Sequence, residues 1–154
     1  MIQLYQTTLK ITPKTNSVLL NLSNMKKNSA TAMSKSFTII SKMLEKTAKL
    51  GIKNPPKTGR IYIIKGQRHQ ASKKSEFPAY LSGELYNSIN SKKFSNKIIF
   101  GSTKDYGKYL EKGRKARNGT FVGARPFLLK SIINTRAKQI LEVEKNFKKY
   151  VEKI

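Results

Sequence analysis

The chain has 154 residues, with 32 Lys and Arg against 8 Asp and Glu, a formal charge of +24, no Cys, no Trp and one His. That length is a prior for one domain with one real core. The missing Cys excludes disulfide staples, thiolate nucleophiles and thiolate-bound zinc. With a single His, a zinc site would need carboxylates, and those are scarce. No apolar run approaches the roughly 18 residues of a membrane span. Met1-Ile2-Gln3-Leu4-Tyr5 lacks the basic-then-apolar pattern of a secretory signal, so a soluble intracellular domain over 1–154 is expected.

In chain order, residues 1–15 carry Ile2, Leu4, Leu9 and Ile11 among polar residues, an arm or short strand that Pro13 stops. Val18, Leu19, Leu22 and Met25 share one helical face. Met33, Phe37, Ile40, Leu44 and Ala48 continue it at spacings of three and four. A helix over 17–50 is expected, with Ser23-Asn24 the place where it could break, Gly51 as its C-cap and Pro55-Pro56 forbidding continuation. Arg60-Ile61-Tyr62-Ile63-Ile64 favours a strand. Residues 65–80 are polar and aperiodic and read as a long loop, which a small domain rarely carries without use. A short helix opens at Ser82-Gly83-Glu84 with Leu81, Leu85 and Ile89. A hairpin follows over 91–101 with Ser95-Asn96 in its turn. Tyr106, Tyr109 and Leu110 mark one or two helical turns ending at Gly113. Residues 114–123 read as a second basic loop. Pro126 is placed at the first position of a last helix, whose apolar stripe is Leu129, Ile133, Ala137, Ile140, Val143, Phe147, Val151 and Ile154. The expected class is α+β, with a small antiparallel sheet packed against a long N-terminal and a long C-terminal helix.

The charge creates a positive field whose natural partners are nucleic acid, acidic protein surfaces or an anionic membrane. Its weight as evidence is tempered by composition. The chain holds 26 Lys, 6 Arg, 11 Asn and 15 Ile, which codon bias in an AT-rich genome would also produce. Distribution is more telling. Nine basic residues and no acid lie between Lys46 and Lys74, and eight with no acid between Lys112 and Lys138. The aromatic residues do not alternate with the basic ones, unlike the stacking sites of dedicated nucleic-acid readers. His69 would need an orienting carboxylate and a nucleophile to act as a base. Glu76 and Ser72 are near in sequence, but an exposed loop histidine is the simpler reading. Lys57-Thr58-Gly59 and Ser23-x-x-Lys26 stand in the wrong order for a serine β-lactamase. There is no phosphate-binding Gly-rich loop.

Two segments carry a resemblance. One runs Lys57-Thr58-Gly59-Arg60-Ile61-Tyr62, His69-Gln70-Ala71-Ser72, Phe77-Pro78-Ala79 and Leu81-Ser82-Gly83-Glu84-Leu85-Tyr86-Asn87-Ser88-Ile89. The other runs Tyr106-Gly107-Lys108-Tyr109-Leu110-Glu111-Lys112-Gly113 and Ala124-Arg125-Pro126-Phe127-Leu128. In this order they resemble the tail-component (neck, or tail-completion) family of tailed phages typified by gene product ten of HK97, over about residues 57–130. Ser82 stands where Thr is common there and Phe77 where a small residue is common. Lys112-Gly113-Arg114-Lys115 replaces a Phe-Gly-Thr-Ser type of run, and residues 1–15 have no counterpart.

The resemblance implies a virion structural protein of the head-to-tail junction, made in the host cytoplasm, of a phage, prophage or gene transfer agent. It implies a homo-oligomeric ring around the DNA channel, sixfold or a multiple. Adjacent head-completion (connector) and tail-tube proteins would be its neighbours, with no catalysis and no cofactor. The rival reading from charge alone is a small non-enzymatic nucleic-acid-binding protein. Contacts to neighbouring subunits, acidic partners or DNA are expected from Arg60, Arg68, His69, Lys73, Lys74, Arg114, Lys115, Arg117 and Arg125. Arg125 could hold a neighbour's carboxylate or make a local pair within its own subunit.

Overall fold

A computed structural model describes the backbone of residues 13–54 and 57–151, and the side chains of residues 20–54 and 57–151. The arm or strand expected over 1–15 therefore falls mostly outside the described residues, as do Pro55-Pro56 and Ile154.

The first helix, α1, runs unbroken over Pro13–Lys53. Pro13 lies in a helix here, and the chain does not break at Ser23-Asn24. No Gly or Pro interrupts residues 14–50, and Ser and Thr hydroxyls, which elsewhere compete with a helix, turn back onto its own carbonyls. Thr31 Oγ1 bonds Lys27 O at 3.0 Å, and Ser36 Oγ bonds Ala32 O at 2.9 Å. At 1.5 Å per residue α1 is about 60 Å long. It also runs through Gly51, which is not its cap. Gly51 is buried against the Phe77 ring, and a Cβ there would lie 2.3 Å from Phe77 Cε1. The glycine lets an aromatic ring approach the helix.

The expected long loop at 65–80 begins as a strand. β1 (Ile61–Ile64) pairs antiparallel with β2 (Gln67–Gln70), with Tyr62 opposite His69 and Ile63 opposite Arg68. The turn is Lys65-Gly66, with φ of 50° and 77°. Two left-handed residues match the twist of a tight hairpin, and only Gly66 made that visible. α2 (Glu84–Ser88) leads into β3 (Ile89–Lys93), which pairs with β4 (Ile98–Ser102). The turn between them closes through Phe94 N–H to Lys97 O at 2.8 Å, with Ser95-Asn96 at its tip as expected. α3 (Tyr106–Lys112) ends at Gly113. The second expected loop is also a hairpin, β5 (Arg114–Lys115) with β6 (Phe121–Val122). α4 spans Leu128–Tyr150, so Pro126 lies two residues ahead of it rather than at its first position.

The architecture is α+β, with long first and last helices, and the strands form three separate antiparallel pairs. The pair β3–β4 packs against α1, and α1 makes its most extensive contact with α4. The core gathers Ala48, Ile52, Phe77, Leu85, Ile89 and Phe127, drawn from α1 and four later places in the chain.

The first half of the stripe expected to hold α4 in the core faces solvent, whereas Val143, Phe147 and Val151 farther along are half-buried. Leu129, Ile133 and Ile140 are 54%, 61% and 51% exposed, whereas Ser131, Thr135 and Asn146 are buried. At Ser131, Thr135 and Asn146 the inward face of α4 is thus small and polar, and these groups are satisfied by backbone carbonyls one turn earlier. Ser131 Oγ bonds Phe127 O at 2.5 Å, Thr135 Oγ1 bonds Ser131 O at 2.7 Å, and Asn146 Nδ2 bonds Glu142 O at 2.8 Å. Among the described residues no buried side-chain polar atom lacks a partner. A hydroxyl bonded to its own helix costs little to bury, and its small size allows close helix–helix approach. No described helix is long and apolar enough to cross a membrane.

Candidate functional site

The two segments that carry the resemblance meet in space, and polar residues of both tie them together. Arg125 donates from Nε to Ser72 O at 2.9 Å and from Nη1 to Gly123 O at 3.3 Å, while its backbone N–H donates to Leu110 O at 2.6 Å. Of the two roles expected for Arg125, the structure shows a local one, and its partners are carbonyls rather than a carboxylate. Glu111 accepts the N–H groups of Phe127 and Leu128 on Oε2 at 2.9 and 3.0 Å, and that of Leu129 on Oε1 at 2.9 Å. A carboxylate on α3 therefore caps the N-terminus of α4, where orphan N–H groups and the helix dipole both favour negative charge.

Glu76 organises the other end. It accepts the Thr58 hydroxyl and the backbone N–H groups of Thr58 at 3.2 Å and Lys73 at 2.8 Å. Those bonds, the Thr58 hydroxyl first, hold its carboxyl down at about 2. Lys57 donates to Gly51 O at 2.9 Å. Burial lowers its pKa, Glu76 pulls it back up, and neighbouring Lys130 lowers it further. Gly59 has a packing reason of its own, because a Cβ there would meet Ala71 O at 2.4 Å.

Between these ties opens a cavity of about 380 Å³. Ile52, Leu85 and Leu110 give it apolar walls. Four tyrosines line it, Tyr62 from β1, Tyr80 from the preceding loop, Tyr86 from α2 and Tyr106 from α3, with Arg125 in the wall and no carboxylate. Tyr80 and Tyr86 meet edge to face, with centroids 5.8 Å apart. Lys49 Nζ lies 5.7 Å from the Tyr86 ring centre. Tyr62 stacks on His69 with centroids 6.2 Å apart.

Arg60 precedes β1 and is exposed, as is Arg68 on β2. His69 lies half-buried on Tyr62, while Glu76 turns to Thr58 and Lys73, so the sequence neighbours Ser72, His69 and Glu76 form no relay. Lys73 and Lys74 are exposed in the bend after β2, with the Lys74 stem beside Gly123. Arg114 and Lys115 form β5, and the Arg114 guanidinium lies 5.8 Å from the Tyr109 ring centre. Arg117 sits in the turn that follows. Ser72, Arg125 and Lys74 bring the two basic stretches side by side. Ile63 on β1 and Phe121 on β6 are 74% and 64% exposed, and neither hairpin packs extensively on another element.

The carboxylates explain why the cations stay free. Glu45 accepts the Ser91 N–H and hydroxyl, both at 2.6 Å, and Glu142 accepts Asn146 Nδ2 at 3.1 Å. With Glu76 and Glu111 engaged as caps, the only ion pair among the described residues is Lys104–Glu84 at 2.8 Å. The tyrosine cluster escaped the sequence reading because its members come from four separate segments, each spaced like core residues. Their one sequence signal is that three of the four lie inside the motif segments. No protein-family model matches the sequence, and no curated protein or solved structure matches the chain.

Proposed function

We propose that the chain is a structural protein of the head-to-tail junction of a tailed phage, prophage or gene transfer agent, acting by assembly and without chemistry. One observation carries this reading. The motif residues that suggested the family serve as ties, Arg125 across the two motif segments to Ser72 and Glu111 within the second segment to the start of α4. A motif whose residues brace a scaffold suits a building block better than a catalyst. The surfaces left over are the two hairpins and the outward apolar face of α4, which suit contacts with neighbouring subunits in a ring. Positive charge beyond the reach of internal carboxylates suits acidic neighbouring rings and passing DNA.

Particles assembled without the protein should show filled heads separated from tails by electron microscopy. Joined, infectious particles lacking it would refute the reading. The second reading, a small nucleic-acid-binding protein, is favoured by the near absence of ion pairs among the described residues. Under that reading, DNA affinity falls steeply with salt and no ring forms under any condition.

A further inference from the structure

We propose that the tyrosine-lined cavity is a binding site for an unpaired nucleotide of single-stranded nucleic acid, with the base among the tyrosines and its phosphate on Arg125. The inference is independent of the neck reading and concerns a site rather than an assembly. The cavity's volume lies in the ordinary range for small-ligand sites, roughly 300–1,000 Å³. Its walls combine flat aromatic rings with one guanidinium and hold no acid. The matching ligand is therefore flat, aromatic and anionic, and a nucleotide has all three properties on adjoining groups.

Arg125 is fixed for such a role. Nε and Nη1 are held by Ser72 O and Gly123 O, and Nη2 takes no part in these bonds. The guanidinium is therefore oriented before a ligand arrives. Tyr62 and Tyr106 are 38% and 39% exposed, so both rings are accessible at the cavity. The exposed Arg60, two residues before Tyr62, and Lys49 against Tyr86 supply positive charge for the neighbouring phosphates. Sequence-tolerant single-strand binding uses this combination of stacking rings and a basic track. Bases stacked in a duplex cannot enter, which separates this site from the general attraction of a +24 chain for any nucleic acid.

The test uses the full chain and a fluorescein-labelled oligothymidylate of about twelve nucleotides, within the usual range of single-strand site sizes. Anisotropy is read at about 0.3 M salt, where the phosphate contribution is weakened. The expected result is tighter binding of the single strand than of a duplex of equal length. With unlabelled oligomer the tyrosine emission should also be quenched, which is readable because the chain has no Trp. Tyr62→Ala and Tyr106→Ala should each weaken single-strand binding roughly fivefold or more and leave duplex binding unchanged. Because Arg125 also ties two segments together, these partly exposed tyrosines carry the test, with circular dichroism confirming that each variant is folded. Equal affinity for single strand and duplex, or unchanged single-strand affinity in both variants, overturns the proposal. So does a cavity that takes an apolar side chain of a partner protein while tyrosine emission ignores the oligomer.

Discussion

The two long helices look alike as patterns and behave oppositely. Over its C-terminal part α1 turns its apolar line inward, burying Ile40, Leu44, Ala48 and Ile52, while Leu22 and Met25 nearer its start are exposed. α4 turns Ser131, Thr135 and Asn146 inward and leaves Leu129, Ile133 and Ile140 to solvent. The contrast teaches that amphipathicity tells which face is apolar but not which face is covered. α1 must form the floor on which β3–β4 and the core residues sit, so its larger side chains are needed there. α4 needs only to lie close to another helix, and small groups bonded to their own backbone serve that purpose. Its apolar side is then free for other contacts, and an exposed ridge of that kind on a small domain commonly marks an interaction surface.

Substitutions at the junction of the two helices should break this comparison most severely. Phe127 is fully buried at the entry to α4 beside Ile52 of α1, so Phe127→Ala should cost about 3–5 kcal/mol in denaturant unfolding. Gly51→Ala drives a methyl into the Phe77 ring, and a loss of about 1–3 kcal/mol is expected in the same measurement. Glu111→Ala removes the cap on three N–H groups of α4 and should lower stability by about 1–2 kcal/mol, with fraying at Phe127–Leu129 seen in amide exchange. Ile133→Lys and Ile140→Lys on the outer face should change stability by no more than about 0.5 kcal/mol. Under the proposed junction role they should nevertheless abolish incorporation into particles, and destabilisation as large as that of Phe127→Ala would show that this face is covered in the free chain.

The smallest effect is read against pH. Glu76 is held at about 2, below its ordinary 4.5. A depressed carboxylate contributes stability that is present above pH 4.5 and is lost as pH falls toward 2. Glu76→Gln should therefore flatten that acid limb of a thermal-melting series while leaving the melting temperatures above pH 5 with a constant offset. An unchanged acid limb would assign it to other carboxylates.

Much of the candidate site was legible only as parts. The motif segments placed Arg125, Glu111, Thr58 and Gly59 in a meaningful order, but not their bonds, because each reaches a partner 12 or more residues away or a backbone carbonyl that carries no sequence signal. The two basic loops were seen as charged and long. That they are hairpins was hidden because β2 and β5 carry Gln, Arg, His and Lys in place of alternating apolar residues, and β5 and β6 are only two residues long each. The tyrosine cavity was invisible, since no local spacing announces that four separate segments converge.

By itself the sequence determined the local elements: a long first helix, an Ile-rich strand, the 91–101 hairpin, a short helix stopped by Gly113 and a long last helix. These depend on periodicity, turn residues and glycine, which act within a few residues of themselves. Tertiary structure alone decided which side of α4 is covered, why Gly51 is a glycine, and that Tyr62, Tyr80, Tyr86 and Tyr106 share one cavity with Arg125. Each of those outcomes depends on what approaches from a distant part of the chain, and contact at long range is set by packing, not by pattern.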